Sequence, residues 1–257
     1  MVMPIVVAKC AARLLLFVAV LAWAPMMSAA PGSEPTPVLV ELFTSEGCSD
    51  CPPADALLAQ LDRAQFIPGA LAIVLSEHVT YWNHLGWRDP FSLDEMDARQ
   101  QEYSVHFGLN SVYTPQMVVD GAEQFVGSDR NALMRAVQSA AAREKLQAEI
   151  VDPRLQNGKA IFSLRSPPGG RGIRWYAAIA ADATRSVVAR GENKGRTLHH
   201  TAVVRTLRQL KVEGAAQEFS LPVDAVATAG ANTRIVIFAV DDRTGRVTAA
   251  AQSIVNR

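Results

Sequence analysis

The stretch Val38-Leu-Val-Glu-Leu-Phe-Thr-Ser-Glu-Gly-Cys-Ser-Asp-Cys-Pro-Pro-Ala-Asp-Ala-Leu-Leu-Ala-Gln-Leu61 decides how this chain folds. Its opening residues, Val38 to Phe43, form a short apolar run with β-branched side chains, which suits a strand buried on both faces of a sheet. Its closing residues put Ala54, Leu57, Leu58 and Leu61 at helical spacing. Proline is tolerated only in the first turn of a helix, so Pro52-Pro53 fixes a helix start at or just before Cys51. Cys48-Ser49-Asp50-Cys51 therefore joins the carboxyl end of a strand to the amino end of a helix.

Downstream, the apolar run Leu71 to Leu75 is separated from the first by that helix, the signature of a parallel βαβ unit with a right-handed crossover. Residues 77–113 carry aromatic side chains, Tyr81, Trp82 and Trp87, and then a helix-compatible stretch from about Ser92 to Phe107, read as a second crossover enlarged by an insertion. A strand through Thr114-Pro115 to Val119, the Asp120-Gly121 dipeptide and Gln124-Phe125-Val126 read as a hairpin. Ser128 or Asp129 caps a further helix reaching about Arg143. Beyond about Leu146 the runs become short and strand-like, at 160–164, 175–180, 201–207 and 234–240, which suggests a small β-sandwich. The expected organisation is an α/β domain over residues 31–145 followed by a smaller all-β, sandwich-like domain over 146–257.

The amino end reads differently. Lys9 and Arg13 precede an apolar stretch from Leu14 to about Met27 that ends in Ser28-Ala29-Ala30, the layout of a secretory signal covering residues 1–30. The stretch falls short of the roughly 20 apolar residues of a membrane span. Cleavage near Ala30 removes Cys10 and leaves Cys48 and Cys51 as the remaining cysteines in an oxidising compartment, periplasmic or secreted. With 25 basic and 25 acidic residues and no block of either sign, charge offers no reason to expect nucleic acid or an anionic membrane surface as partner. No membrane span is expected after cleavage.

The order strand, CxxC, helix, then a Thr-Pro strand and an Asp-Gly hairpin resembles the thioredoxin fold over roughly residues 38–143. More narrowly, Glu41-Leu-Phe-Thr-Ser-Glu-Gly-Cys-Ser-Asp-Cys-Pro-Pro-Ala-Asp55, Val112-Tyr-Thr-Pro-Gln-Met-Val-Val-Asp-Gly121 and Gly191-Glu-Asn-Lys-Gly-Arg-Thr-Leu-His-His-Thr-Ala-Val-Val-Arg205 resemble a secreted bacterial family labelled domain of unknown function 1223. The thioredoxin resemblance implies that Pro115 is cis and lies against the dithiol, with the Thr114 backbone free to bind an extended substrate. It also implies that Glu41 sits beside the position of a buried carboxylate that relays protons to the resolving cysteine. That alignment needs one extra residue between Thr44 and Gly47, and a solvated or differently paired Glu41 stands beside it.

Two cysteines at a helix start can form a redox-active disulfide, and the terminal N–H groups and helix dipole stabilise a thiolate on the first. Cys48 is then the nucleophile, and Cys51 the resolving residue that releases a mixed disulfide. A carboxylate at Asp50 competes for the same dipole, which makes Cys48 less acidic and moves the couple toward the reducing end of the range. The alternative is a fixed structural disulfide. The same thiolates with His78 or His84 as a third ligand would suit copper or zinc. Tyr81, Trp82 and Trp87 read as core packing before a peptide-binding rim. His199 and His200 read as structural, because strand neighbours point to opposite faces. The expected function is thiol-disulfide exchange through Cys48 and Cys51, without a cofactor, on a protein or small-molecule thiol. A non-catalytic binding protein and a copper or zinc metallochaperone are the alternatives.

Overall fold

In the computed structural model, which describes residues 1–2, 34–167, 172–224 and 232–255, the quoted stretch forms strand β1 (Thr36–Thr44) and helix α1 (Pro52–Ala64). The expected signal segment lies outside the described residues. Cys51 is the residue capping α1, and the two prolines occupy the first helical positions, where a missing N–H costs nothing. Strand β2 (Ala70–His78) runs parallel to β1, with Val40 opposite Val74 and Thr44 opposite His78. Helix α2 (Asp94–Phe107) follows the insertion and ends at Gly108 in the left-handed conformation, φ 63°. Strands β3 (Gln116–Val119) and β4 (Glu123–Val126) make the expected hairpin. Both of its turn residues have positive φ, Asp120 at 49° and Gly121 at 59°, as a tight turn between twisted strands requires. Asp129 then caps α3 (Arg130–Ala141) by accepting from the Ala132 N–H at 2.9 Å.

The carboxyl-terminal half supplies β5 (Glu149–Gln156), β6 (Lys159–Arg165), β7 (Ile173–Val187), β8 (Thr197–Leu210), β9 (Ala216–Pro222), β10 (Thr233–Asp241) and β11 (Val247–Val255). The sheet does not end at the expected boundary between residues 145 and 146. Its eight strands run β11-β10-β7-β8-β2-β1-β3-β4, and residues Glu34–Arg257 form one compact unit. The join is a parallel bridge between Ser76 and Val203, through which β8 covers the otherwise open edge of β2. A sandwich exists only locally, where a second sheet of order β5-β6-β9 lays Ala160, Phe162 and Leu164 on Trp175, Ala177, Ile179, Ile235 and Ile237. The protein is thus an α/β fold with one large mixed sheet and one small antiparallel sheet.

Strand alternation sorts the core. Val38, Val40 and Leu42 of β1 and Ala72 and Val74 of β2 face α1 and α3, packing on Leu57, Leu58, Leu61, Leu133 and Val137. Leu39, Phe43, Ile73 and Leu75 face the other way, onto Met96 and Tyr103 of α2 and onto Tyr176 and Phe238. From Val38 to Thr44 on β1 and from Ala72 to His78 on β2 every position is committed to one of two buried faces, and that commitment decides which polar residues meet the cysteines.

Candidate functional site

Between β1 and α1 the chain turns through Ser45-Glu46-Gly47, with the Cys48 N–H donating to Ser45 O at 3.2 Å and the Gly47 N–H to Ser45 Oγ at 3.1 Å. Cys48 and Cys51 are joined as a disulfide. The Ala54 and Asp55 N–H groups donate to Cys51 O at 2.9 and 3.1 Å, so the disulfide ends directly on the first turn of α1. Both cysteines are buried, Cys48 at 2% exposure, whereas Ser49 and Asp50 between them are exposed.

The cover comes from the loop joining β7 to β8. Asn193 Nδ2 donates to Cys48 O at 2.8 Å and to Glu46 O at 2.9 Å, and Glu192 Oε2 accepts from the Ser49 N–H at 3.1 Å. Arg196 Nη1 fixes the amide by donating to Asn193 Oδ1 at 2.8 Å. The loop turns at Gly191 and Gly195, φ 73° and 81°. A Cβ on Gly191 would also stand 3.2 Å from the Trp87 Cβ. The hairpin of the carboxyl-terminal half therefore clasps the CxxC turn by its backbone.

Trp82 closes another side. A Cβ on Gly47 would lie 3.0 Å from the Trp82 Cβ, and Trp82 Nε1 donates to Thr114 Oγ1 at 2.8 Å. One indole thus ties the CxxC turn to Thr114, whose bond to Pro115 is cis. Pro115 is buried and Thr114 is half-buried. Tyr81 donates to Gln100 Oε1 at 3.1 Å, and Gln100 Nε2 donates to Tyr113 O at 2.7 Å. Burial pushes the Tyr81 phenol up to about 12. Trp87 Nε1 donates to Glu46 Oε2 at 2.8 Å. All three aromatic residues are at least partly buried and each spends its polar atom inside the protein.

Beneath the disulfide, on the α1 face, lies a cluster of buried polar side chains: Glu46, Asp55, His78, Asp89 and His200. His200 Nε2 donates to Glu46 Oε1 at 3.2 Å, and its Nδ1 stands 3.7 Å from Asp55 Oδ2. Ser186 Oγ also donates to Glu46 Oε1. His78 Nδ1 donates to Asp89 Oδ2 at 2.7 Å, and the same oxygen accepts the Glu46 N–H at 2.8 Å. The two imidazoles pack edge to face with centroids 4.6 Å apart. Burial works against a charge on His200, but the Asp55 and Glu46 carboxylates outweigh it and push its pKa up to about 10. Burial likewise opposes ionisation of Asp89, and His78 together with the Glu46 and Phe91 N–H groups outweighs it and lowers the pKa.

Glu41 is placed elsewhere. Strand alternation turns it away from α1, and its carboxylate binds Arg99 Nε through Oε1 and the Tyr103 hydroxyl through Oε2, each at 2.5 Å. Glu77 lies 3.7 Å from the same guanidinium. Burial, followed by the Glu41 charge, raises the Glu77 pKa well above the carboxylate range, against the pull of Arg99. The structure brings Cys48, Cys51 and, through Trp82, Thr114 together, and it brings Glu46 and Asp55, in place of Glu41, to the helix end of the disulfide.

His78 is occupied with Asp89 and His200, and His84 is exposed. Among the described residues no three His, Cys, Asp or Glu side chains are arranged to hold a metal ion. Sequence reasoning missed Glu46, Asp55, Asn193 and His200 as site residues. Glu46 and Asp55 flank the CxxC in the stretch that decided the fold. The rule that strand neighbours diverge removes His199, which is exposed, but leaves His200 pointing inward.

Comparison with known proteins agrees with this architecture. A crystal structure of an Agrobacterium tumefaciens protein, 24% identical, superposes with a TM-score of 0.62 over 86% of this chain and 95% of that one. OgpA from Akkermansia muciniphila, at 12% identity and a TM-score of 0.24 over 51% of this chain and 36% of its own, is too distant to bear on the fold. No curated protein matches. The model of a family described as protein of unknown function (DUF1223) matches residues 39–239, most of the chain, and the chain belongs to that family.

Proposed function

We propose that this chain is an exported thioredoxin-like protein, periplasmic or secreted, that exchanges its Cys48–Cys51 disulfide with protein or small-molecule thiols. The observation that carries this reading is the disulfide itself, placed where a buried β1 meets the first turn of α1 in a parallel β1-α1-β2 unit. A partner thiolate would attack Cys48 Sγ, the S–S bond would break, and Cys51 would leave as a thiolate facing the N–H groups of the helix start. A second thiol then attacks the partner sulfur of the mixed disulfide and releases the donor as its disulfide, leaving the Cys48 and Cys51 dithiol. That dithiol acts as the reductant when the Cys48 thiolate attacks the disulfide of the next partner and Cys51 closes on Cys48 to release that partner reduced. The exposed Asp50 charge beside the couple supports a reductant, with a potential below about −150 mV. Export rests on the sequence of residues 1–30 and on the oxidised pair.

A second reading has its own support. Asn193 pins the carbonyls on either side of Gly47 and covers Cys48, as suits a structural clamp in a binding protein. Stopped-flow reduction of the purified mature chain by dithiothreitol and glutathione, with insulin reduction alongside, separates the two. Exchange in the folded protein that disappears in Cys48→Ser supports the oxidoreductase. A disulfide that opens only when the protein unfolds leaves the binding protein.

A further inference from the structure

The cluster beneath α1 holds hydrogen-bonding capacity that the described residues do not use. Asp55 Oδ1, His200 Nδ1, His78 Nε2, Ser76 Oγ and Thr44 Oγ1 are all buried with no hydrogen-bond partner among the described residues. A buried polar atom left without a partner is destabilising. Five of them on one face of a sheet, beside a disulfide, call for a reason beyond packing. Thr44, Ser76 and His78 share that face through strand alternation, and Asp55 and His200 reach it from α1 and β8.

The arrangement points at Cys51. Side chains four apart on a helix lie on one face with Cβ atoms roughly 5–6 Å apart. Asp55 therefore stands one turn beyond Cys51 on its buried side, and its own N–H donates to Cys51 O at 3.1 Å. His200 links Asp55 to Glu46, the residue two before Cys48, so one imidazole joins carboxylates from both flanks of the CxxC. Ion pairs of Glu46, Asp55 and Asp89 are all with histidine among the described residues. The groups facing His200 are Glu46 from the turn, Asp55 from α1, His78 from β2 with Asp89 behind it, and the Phe91 ring.

We propose that Asp55 and His200 are the acid–base pair of the Cys48–Cys51 couple, with Glu46 positioning the imidazole; this rests on the thiol-exchange reading above. When an incoming thiolate bonds to Cys48 Sγ and the S–S electron pair departs on Cys51 Sγ, the Asp55–His200 pair delivers one proton to that thiolate and stays one proton short. On reoxidation the Cys51 thiol returns the proton to the pair, and its thiolate attacks the mixed disulfide to expel the partner thiolate. The raised pKa of His200 keeps its ring protonated at neutral pH while the couple is oxidised, so the proton is in place before the S–S bond breaks. The acid–base group thus comes from β8, which places the carboxyl-terminal half of the chain inside the reaction.

The test is the rate of disulfide reduction by dithiothreitol in the full mature chain from pH 5 to 10. It compares wild type with Asp55→Asn, His200→Gln and the exposed control His199→Gln. The expected result is a loss of about tenfold or more at pH 7 in the first two, with a changed pH profile, and no change in the control. Wild-type exchange with Asp55→Asn and His200→Gln matching it in rate and profile overturns the pair alone. A wild-type disulfide inert to thiols while folded overturns both the pair and the reading beneath it. Should the substitutions prevent folding, NMR titration of the His200 ring in oxidised and reduced wild type decides. Coupling requires two separate curves, and superimposed curves overturn it.

Discussion

Single residues here are governed by which face of a strand or helix they occupy. Glu41, one step along β1 from Leu42, meets Arg99 and Tyr103, while Asp55 meets the histidine beneath the disulfide. Period-2 alternation predicts that split once the direction of α1 is known, and the sequence does not state that direction. Glu77 lies with Glu41, and burial raises its pKa well above the carboxylate range. Its raised pKa contributes stability fully present below about 4.5 and lost as pH rises through the folded value, because the folded state holds the proton more tightly than the unfolded chain does. Glu77→Gln is therefore expected to raise the unfolding midpoint at pH 7, with a gain that shrinks toward pH 5 in thermal melts. His200 behaves with the same sign in a higher window. Its folded pKa of about 10 against 6.5 unfolded contributes stability that is complete below pH 6.5 and fades as pH climbs through 10. Thermal melts of wild type should lose stability across that window, and His200→Gln should flatten the loss.

At the scale of elements, the loop between β7 and β8 is hydrogen-bonded to the backbone of the CxxC turn. Two hydrogen bonds from one amide, at 2.8 and 2.9 Å, hold it over Cys48. Each is worth about 1 kcal/mol. Asn193→Ala should open the loop and speed reduction by a small dithiol about tenfold, with unchanged thermodynamic preference for the disulfide. Equal rates in the variant would mean that the loop does not limit access. The elements from β1 to α3 were readable because each combines a clear period with a punctuating residue: Pro52-Pro53, Asp120-Gly121, the Asp129 cap. Strand β5 was harder, since Pro153 interrupts a polar, alternating segment, and β11 carries only small residues in Ala249-Ala250-Ala251. The candidate site was half legible. Its cysteines stand in one local motif, but Asn193 and His200 reach it across more than half the chain, and nothing local in the sequence encodes that closure.

For the molecule as a whole, the continuous eight-stranded sheet makes the two halves interdependent. The boundary at 145 to 146 was plausible in sequence because the helical periods stop there. Pairing of β8 with β2 is non-local and rests on Ser76 and Val203, so no pattern in either strand announces it. Removing residues 146–257 would strip Tyr176, Val204 and Phe238 from Ile73 and Leu75 and expose the β2 edge. Each large apolar side chain returned to water forfeits about 1.5–3 kcal/mol, against a typical total stability of roughly 5–15 kcal/mol. Residues 31–145 alone should therefore lack a cooperative unfolding transition by circular dichroism, whereas residues 31–257 should unfold in one. A fragment that melts sharply by itself would contradict the shared core. The most direct measurement for the molecule is the rate at which thiols open Cys48–Cys51 in the folded protein of residues 31–257. Exchange faster than in an unfolded peptide spanning residues 44–56, and abolished by Cys48→Ser, is the expected outcome. A disulfide that resists thiols until the fold is lost would contradict a redox role for this site.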